Sequence, residues 1–199
     1  MIDWLLLDYG KVLSKAQPPA TFTELAAIAG TSTAEFRQRY WRHRAEYDRG
    51  QTARDYWSAV LGRDLSGQRS VVDRLTAVDV DGWSHMNLTS LRMLLNTARR
   101  NHIRLALLSN APHSQADAID ATDWIRGFDH RFYSCRLRQI KPDPGIFTEV
   151  LRTMAAAPEG VLFIDDRAEN TAAAADLGMA TITFTSARAL REQLTSAVG

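Results

Sequence analysis

The chain has 199 residues, of which 45% are hydrophobic and 24% charged, values typical of a globular protein with one sizeable core. Its 24 basic and 23 acidic residues give a formal net charge of +1 and are spread along the chain, which argues against nucleic-acid and membrane partners and favours a small-molecule one. A single cysteine, Cys135, excludes an internal disulfide, and no segment has the apolar length of a secretory signal or a membrane span, so we expect a cytoplasmic protein.

The first predicted element is a short buried strand. The apolar run Trp4–Leu7 predicts it, and the run ends directly at an ionisable residue, Asp8. Gly10 follows two positions later and begins a turn, because glycine adopts turn conformations at little steric cost. A carboxylate at the end of a buried strand needs a partner, so Asp8 is the first candidate functional residue.

Residues 15–85 predict helices and no strand. Ser32 begins an S-x-x-E capping signal, and aromatic residues at helical intervals extend the predicted helix to Gly50. A second predicted helix ends at Gly62. This part of the chain is therefore interpreted as a small helical bundle.

Helices and strands alternate from residue 89 to the end of the sequence. Apolar runs predict the strands, and segments of helical periodicity lie between them. The predicted strands cover residues 103–108, 130–133, 161–164 and 180–184. The predicted helices begin near residue 89, cover residues 114–126, begin at Pro144, and cover residues 171–177 and 187–194. Such alternation is typical of an α/β fold with a Rossmann-like parallel sheet and helices on both faces.

The two patterns divide the chain into two predicted domains. Residues 1–14 and 86–199 form the α/β core domain, and residues 15–85 form a helical cap domain inserted after the first strand. Aromatic and basic side chains in segments 41–44 and 47–50 of the cap are interpreted as a packed aromatic stripe beneath a solvated basic face. Contact with an anionic substrate is the alternative.

Polar residues follow four of the predicted strands directly or in the next loop. They are Asp8, Ser109 with Asn110, Lys141, and Asp165 with Asp166. In parallel α/β sheets, ligands bind at the carboxyl ends of the strands, so these side chains should converge. Three carboxylates repel each other unless a cation neutralises them, and oxygen ligands suit Mg²⁺. With a cation and a lysine holding the phosphoryl charge, Asp8 could attack phosphorus in line and form an aspartyl phosphate.

Four segments of the chain resemble, in order and spacing, the motifs of the haloacid dehalogenase superfamily. They are Asp8-Tyr9-Gly10-Lys11-Val12, Leu108-Ser109-Asn110, Lys141-Pro142-Asp143, and Ile164-Asp165-Asp166-Arg167-Ala168-Glu169-Asn170. The helical insert is similar to the small cap of the first cap class. The first motif is most similar to that of the sugar-1-phosphatase-like branch, which reads D-L-G-N-V.

This resemblance implies a role for each matching residue. Asp8 is implied as the nucleophile and a ligand of Mg²⁺, with the carbonyl of Gly10 as a second ligand. Asp166 is implied as a direct ligand of the metal and Asp165 as a ligand through water. Ser109, Asn110 and Lys141 are implied to bind the phosphoryl group of a small phosphorylated substrate.

Gly10 departs from the D-x-D pattern of most phosphatases in the superfamily. The second Asp of that pattern protonates the leaving group, and losing such a group typically costs about 10²- to 10⁴-fold in rate. Three interpretations stay open. The chain is a Mg²⁺-dependent phosphomonoester hydrolase, for example of a sugar phosphate, that is slow, chooses esters whose leaving groups need little protonation, or takes its acid from the cap or the substrate. Alternatively, it is a phosphate-binding or regulatory module without turnover, or it is a dehalogenase. Asp165 and Asp166 count against the dehalogenase, whose last motif resembles S-S-N.

Overall fold

The computed structural model describes residues 1–198. At its centre is a parallel five-stranded sheet with the strand order β3-β2-β1-β4-β5. The strands are β1 (Trp4–Leu7), β2 (Arg104–Ser109), β3 (His130–Tyr133), β4 (Val161–Asp165) and β5 (Ala180–Thr183). The predicted α/β fold is confirmed. β1 lies in the middle of the sheet, so Asp8 leaves the sheet at its centre.

Helices cover both faces of the sheet because alternate strand residues point to opposite sides. Leu5 and Leu7 of β1 pack with α5 (Leu88–Asn101), α6 (His113–Asp120) and α10 (Ala187–Val198). Trp4 and Leu6 pack with α8 (Pro144–Met154) and α9 (Ala168–Ala175) on the other face. A short helix, α7 (Ser134–Leu137), follows β3. Within residues 1–198, no helix is both long enough and apolar enough to cross a membrane.

Four helices between β1 and α5 form a separate hydrophobic cluster, and we call them the cap helices. They are α1 (Pro19–Ala29), α2 (Thr33–Asp48), α3 (Ala53–Leu61) and α4 (Arg69–Trp83). Half of the buried residues in their core are aromatic, and Phe36, Tyr40 and Trp57 are fully buried. The Ser32 hydroxyl accepts a hydrogen bond from the Glu35 amide and so caps α2, as its sequence spacing indicates.

The two chain segments that join the cap helices to the sheet run beside each other. An antiparallel bridge pairs Ser14 with Met86. Backbone hydrogen bonds flank the bridge on both sides, from Lys15 to the carbonyl of His85 and from Asn87 to the carbonyl of Leu13. The predicted domain boundaries fall in this paired region.

The predicted helix over residues 114–126 is wrong in its second half. α6 ends at Asp120, and a separate 3-10 turn covers Trp124–Gly127. The break brings Ile125 into the fully buried core, which a continuous helix would not do. The carboxylate of Asp120 also accepts hydrogen bonds from Tyr133 and Arg136, so tertiary contacts fix the end of α6.

Candidate active site

A cleft of about 670 Å³ lies between the carboxyl ends of the central strands and the cap helices. Six predicted site residues line it: Asp8, Gly10, Ser109, Asn110, Lys141 and Asp166. The seventh, Asp165, is fully buried and contacts Lys141 from beneath. The fold therefore brings together all the residues that the sequence placed at the strand ends.

Lys141 connects the nucleophile candidate to the end of β4. Its ammonium donates to Asp8 Oδ1 at 2.7 Å, to Asp165 Oδ2 at 2.7 Å and to the carbonyl of Leu108 at 2.8 Å. A lysine has three N–H donors, so all three are used. Because the side chain is buried, this geometry fixes both the ammonium and Asp8 in place.

Asn110 holds the backbone of Lys141. Its side-chain amide donates to the Lys141 carbonyl and its oxygen accepts from the Lys141 amide, both at 2.9 Å. These contacts make Asn110 a residue that positions Lys141, and its implied contact with a phosphoryl group stays a prediction. Ser109, at the end of β2, is buried and lies on the cleft wall.

The carboxylates at this edge of the sheet have different surroundings. Burial raises the pKa of Asp8 to about 7; Lys141 opposes the rise and Asp165 adds to it. Asp165 accepts hydrogen bonds from the Arg167 amide and the Asn170 side chain in addition to Lys141. Burial of Lys141 would lower its pKa, but Asp165 and Asp8 more than compensate and the pKa is raised. The buried ammonium therefore stays charged between two carboxyl groups.

The turn after β1 combines an ordinary glycine conformation with an unusual lysine conformation. Gly10 has φ −60° and ψ 124°, which any L-residue can adopt. A Cβ at Gly10 would lie 3.7 Å from Asp8 Oδ2 and 3.7 Å from Trp83, so the backbone has room for a side chain. Lys11 has φ 58°, in the left-handed region, and its ammonium lies 2.9 Å from Asp166 Oδ2.

Three carboxylates in this turn and after β4 could share a cation. Oxygen atoms of Asp8, Asp165 and Asp166 all lie within 4.8 Å of one another. Asp165 already accepts hydrogen bonds with both of its oxygens, and one oxygen of Asp166 contacts Lys11. The donor set is all oxygen, which is the ligand type that Mg²⁺ prefers.

The cap side of the cleft contains a buried charge cluster that the sequence analysis missed. Arg44 donates to Asp48 Oδ1 at 2.7 Å, to Asp79 Oδ2 at 3.2 Å and to the hydroxyl of Tyr40. Tyr40 in turn donates to Asp79 Oδ1 at 2.7 Å. The interpretation of segment 41–44 as a solvated basic face is wrong for Arg44, whose side chain is only 8% exposed. It points inward because Asp79, on α4, supplies a buried partner.

The end of α2 is tied closely to the α/β core. The Ser134 hydroxyl donates to the carbonyl of Asp48 at 2.5 Å and accepts from the Ala111 amide at 2.9 Å. Gly50 has φ 108°, and a Cβ there would lie 2.8 Å from the Cys135 carbonyl. Only glycine fits this conformation and this approach. These contacts hold Asp48 beside the loop that follows Ser109.

Several cleft residues gave only weak signals in the sequence. Arg44 and Asp48 are four residues apart on one helix, a spacing that allows an ion pair but does not show which way it faces. Lys11 lies within the first motif, and its position beside Gly10 was the only hint of a role. Trp83 and Gln115 also line the cleft, and no local pattern distinguishes them from core residues.

A second groove, of about 680 Å³, lies between α5 and α10. Three arginines line it, Arg92, Arg100 and Arg191, together with apolar and uncharged polar residues. It contains none of the carboxylates, lysines or strand ends described above. The chemistry of the side chains therefore points to the Asp8 cleft as the active site.

The sequence model of the haloacid dehalogenase-like hydrolase family matches residues 9–178, most of the chain. The chain belongs to the haloacid dehalogenase-like hydrolases. This confirms the superfamily that the four motifs resemble, and the sugar-1-phosphatase-like branch stays a prediction. The match begins directly after Asp8 and includes the cap helices as well as the sheet.

The curated relatives that this chain matches cover it to different extents. Drimenol cyclase of Aspergillus calidoustus is 27% identical over 205 residues, which span all of this chain and 37% of that protein. Bifunctional epoxide hydrolase 2 of Mus musculus is 44% identical over 66 residues, 33% of this chain and 12% of that protein. Flavin mononucleotide hydrolase 1 of Arabidopsis thaliana is 25% identical over 147 residues, 74% of this chain and 56% of that protein. The chain thus spans less than two thirds of each relative.

Solved haloacid dehalogenase-like structures share the fold over almost the whole chain. An enzyme of this family from Bacteroides thetaiotaomicron, in complex with magnesium and inorganic phosphate, has a TM-score of 0.71 at 20% identity, covering 93% of this chain and 95% of that one. A 2-haloacid dehalogenase from Pseudomonas syringae has a TM-score of 0.64 at 18% identity, covering 98% and 99%. At these identities the likeness shows the fold, which serves both phosphate-binding and dehalogenating proteins.

Proposed function

We propose that the protein is a Mg²⁺-dependent phosphomonoester hydrolase that acts on a small phosphorylated metabolite through an aspartyl phosphate at Asp8. The observation that carries this proposal is the buried Lys141 ammonium, 2.7 Å from Asp8, at the centre of the sheet's carboxyl edge. Ser109 lines the same cleft. A nucleophile, a fixed positive charge and a hydroxyl donor are the groups that phosphoryl transfer requires.

The carboxylates fit a magnesium ion. Asp8 and Asp166 each have one oxygen that is not paired with a lysine in the contacts above, and the Gly10 carbonyl belongs to the same turn. We propose these three groups as direct ligands and Asp165 as a ligand through water. When bound, magnesium supplies positive charge that neutralises the carboxylates and the phosphoryl oxygens.

Each residue of the site has its own role in the proposed reaction. The Asp8 carboxylate forms a bond to phosphorus while the bond from phosphorus to the leaving oxygen breaks. Lys141 holds Asp8 in position, and the Ser109 hydroxyl donates to a phosphoryl oxygen. Water then attacks phosphorus, releases inorganic phosphate and restores Asp8. Asp165 and Asn110 act on Lys141, one on its ammonium and the other on its backbone.

Two similar proteins support this proposal, one by the ligands in its crystal structure and the other by the substrate in its name. The Bacteroides enzyme was crystallised with magnesium and inorganic phosphate, and the Arabidopsis relative is a hydrolase of flavin mononucleotide, which is a phosphate monoester. The dehalogenase interpretation is weaker, because Asp165 and Asp166 place two more carboxylates beside Asp8. Such a site favours a cation over a metal-free displacement of halide.

A phosphate-binding module without turnover is the second candidate. One observation favours it: position 10, where most phosphatases of this superfamily have their acid-base Asp, is a glycine. In that case Lys141 and Ser109 would bind phosphate, and no later step would follow.

A phosphate-release screen tests the proposal. The panel contains glucose 1-phosphate, glucose 6-phosphate, β-glycerol phosphate, AMP and p-nitrophenyl phosphate, each with Mg²⁺ and with chelator. We expect release with Mg²⁺ only, and Asp8→Asn should reduce it by at least about 10³-fold because the nucleophile is lost. Asp123→Asn is the control, since the Asp123 side chain is 89% exposed.

Two outcomes would contradict the proposal. Release that Asp8→Asn leaves unchanged would show that Asp8 is not the nucleophile. No release from any ester, together with calorimetric binding of inorganic phosphate, would favour the binding module.

A further inference from the structure

Phosphate esters of ordinary alcohols need a proton for the leaving oxygen, and Gly10 has no side chain to give it. We propose that Asp48, at the end of α2, is the general acid and base of the hydrolysis. This inference rests on the proposed phosphohydrolase function. It goes beyond that function in assigning the acid-base step to a residue of the cap helices.

Asp48 is placed to reach the reacting groups. It lines the same cleft as Asp8 and Lys141, and its side chain is 12% exposed. Among residues 1–198, only Arg44 donates to its carboxylate, and it does so at Oδ1. The other oxygen therefore remains able to meet a substrate in the cleft.

The structure also holds Asp48 firmly. Its carbonyl accepts the Ser134 hydroxyl hydrogen bond, and Ser134 in turn accepts from the Ala111 amide, two residues after Ser109. The Tyr47 hydroxyl lies 3.2 Å from Ser114 Oγ on α6. A general acid must keep a fixed position relative to the reacting groups, and these contacts fix the backbone of Asp48 against the α/β core.

The charges around Asp48 leave it protonatable near neutral pH. Burial raises its pKa to about 6, and Asp79 on α4 adds to the rise. Arg44 on its own helix and Arg167 after β4 oppose it. The thiol of Cys135 is nearby on α7, and its own pKa is raised to about 11, so it stays neutral. A pKa close to the working pH is the value that suits an acid that must also act as a base.

The other cap residues on the cleft wall do not suit this role. Arg44 stays charged because guanidinium does not lose its proton in proteins. Trp41 and Trp83 have indole rings that do not transfer a proton in this pH range. Among the cap residues that line the cleft, Asp48 is thus the one with a carboxyl group.

The proposed step conserves protons. As Asp8 bonds to phosphorus and the leaving oxygen departs with the bonding electrons, the Asp48 carboxyl gives that oxygen its proton and the alcohol leaves. The Asp48 carboxylate then takes a proton from water as the water oxygen bonds to phosphorus. The bond from phosphorus to Asp8 breaks, inorganic phosphate leaves, and both aspartates return to their starting states.

A comparison of two substrates and two variants tests this assignment. The substrates are p-nitrophenyl phosphate, whose leaving group needs little protonation, and the alkyl phosphate of the panel that is turned over fastest. Asp48→Asn should lower kcat/KM for the alkyl ester by about 10²-fold or more and change that of the aryl ester little. With the aryl ester it should also show a burst of nitrophenol, and acid quench should trap phosphorylated Asp8, because the base for the second step is missing.

Asp79→Asn is the matched control. Asp79 contacts Arg44 as Asp48 does, but it does not line the cleft. A structural effect of losing a partner of Arg44 would appear in both variants. The alkyl-to-aryl ratio should fall at every pH only in Asp48→Asn, whereas in Asp79→Asn its pH dependence should shift to lower pH, because Asp79 adds to the raised pKa of Asp48. The unaltered protein gives a second measurement: kcat/KM for the alkyl ester should fall above pH about 6, relative to the aryl ester, as Asp48 loses its proton.

The outcomes separate the two proposals. Suppose that aryl ester hydrolysis depends on Asp8, and that the alkyl-to-aryl ratio of kcat/KM is the same in Asp48→Asn and in the unaltered protein. This result would overturn the role of Asp48 and leave the proposed function standing. If the unaltered protein hydrolyses neither ester, the proposed function fails and the role of Asp48 fails with it.

Discussion

The cleft has two buried charge clusters, one on each wall, and each has one cation between two aspartates. On the core wall Lys141 lies between Asp8 and Asp165. On the cap wall Arg44 lies between Asp48 and Asp79. The core cluster joins aspartates from the ends of β1 and β4 to a lysine from the loop between α7 and α8, whereas Arg44 and Asp48 lie on one helix and only Asp79 comes from another.

The two clusters differ in which of their hydrogen-bonding atoms have no partner among residues 1–198. The Lys141 ammonium uses all three of its N–H donors in hydrogen bonds to protein atoms, and these contacts fix the position of Asp8. The cap cluster leaves one side of Asp48 open to the cleft. The proposed reaction needs a rigid nucleophile and a group that gains and loses a proton. The core wall provides the first and the cap wall the second.

Loss of the core cation should have the largest effect. Lys141→Met leaves Asp8 and Asp165 buried without their ammonium, and removing one partner of a buried ion pair costs about 3 to 5 kcal/mol. Arg44→Met should cost less, because Asp79 keeps hydrogen bonds from Tyr40 and Gln17, whereas among residues 1–198 only Lys141 donates to the Asp8 carboxylate. Urea denaturation at pH 7 measures both, and a loss for Lys141→Met that is no larger than that for Arg44→Met would contradict the contrast between the clusters.

The pH dependence of stability sharpens the comparison on the cap side. The folded protein holds the proton of Asp48 more tightly than the unfolded chain does, since burial raises its pKa from 3.8 to about 6. This contribution to stability is complete below pH about 4 and is lost as pH rises to about 6, and it amounts to about 3 kcal/mol. Asp48→Asn should therefore gain stability relative to the unaltered protein between pH 4 and 7.

Urea denaturation across that pH range gives the measurement, with Asp123→Asn as an exposed control. If the free energy of unfolding depends on pH equally in Asp48→Asn and in the unaltered protein, Asp48 has the same pKa in the folded and unfolded states. The prediction for its protonation would then be wrong.

The smallest effect is expected at Lys11, the exposed cation of the core wall. A non-glycine residue in the left-handed region costs about 1 kcal/mol, so Lys11→Gly should be more stable than Lys11→Ala by about that amount. Both variants remove the ammonium beside Asp166, and both should bind Mn²⁺ more tightly in a paramagnetic resonance titration. Equal stability of the two variants would rule out backbone strain, and unchanged Mn²⁺ affinity would rule out competition by Lys11.

The sequence predicted the core wall far better than the cap wall, for a physical reason. The ends of parallel strands always meet at one edge of the sheet, so Asp8, Lys141 and Asp165 could be placed together without coordinates. The inward direction of Arg44 depends on Asp79, a residue on another helix whose position follows from cap packing. The end of α6 at Asp120 likewise depends on Tyr133 and Arg136. Contacts between distant elements have no local pattern, and these are the features that the sequence left open.

The position of the Trp83 ring beside the Gly10 turn has a consequence for how such proteins diverge. The Gly10 backbone does not require glycine, and a Cβ there would lie at an ordinary contact distance, 3.7 Å, from both Asp8 Oδ2 and the Trp83 ring of the cap. A carboxyl at position 10 would need space beyond its Cβ, between the Asp8 carboxylate and this ring. Related chains with an acid at position 10 should therefore have a smaller side chain at position 83, and the two columns of an alignment should vary together.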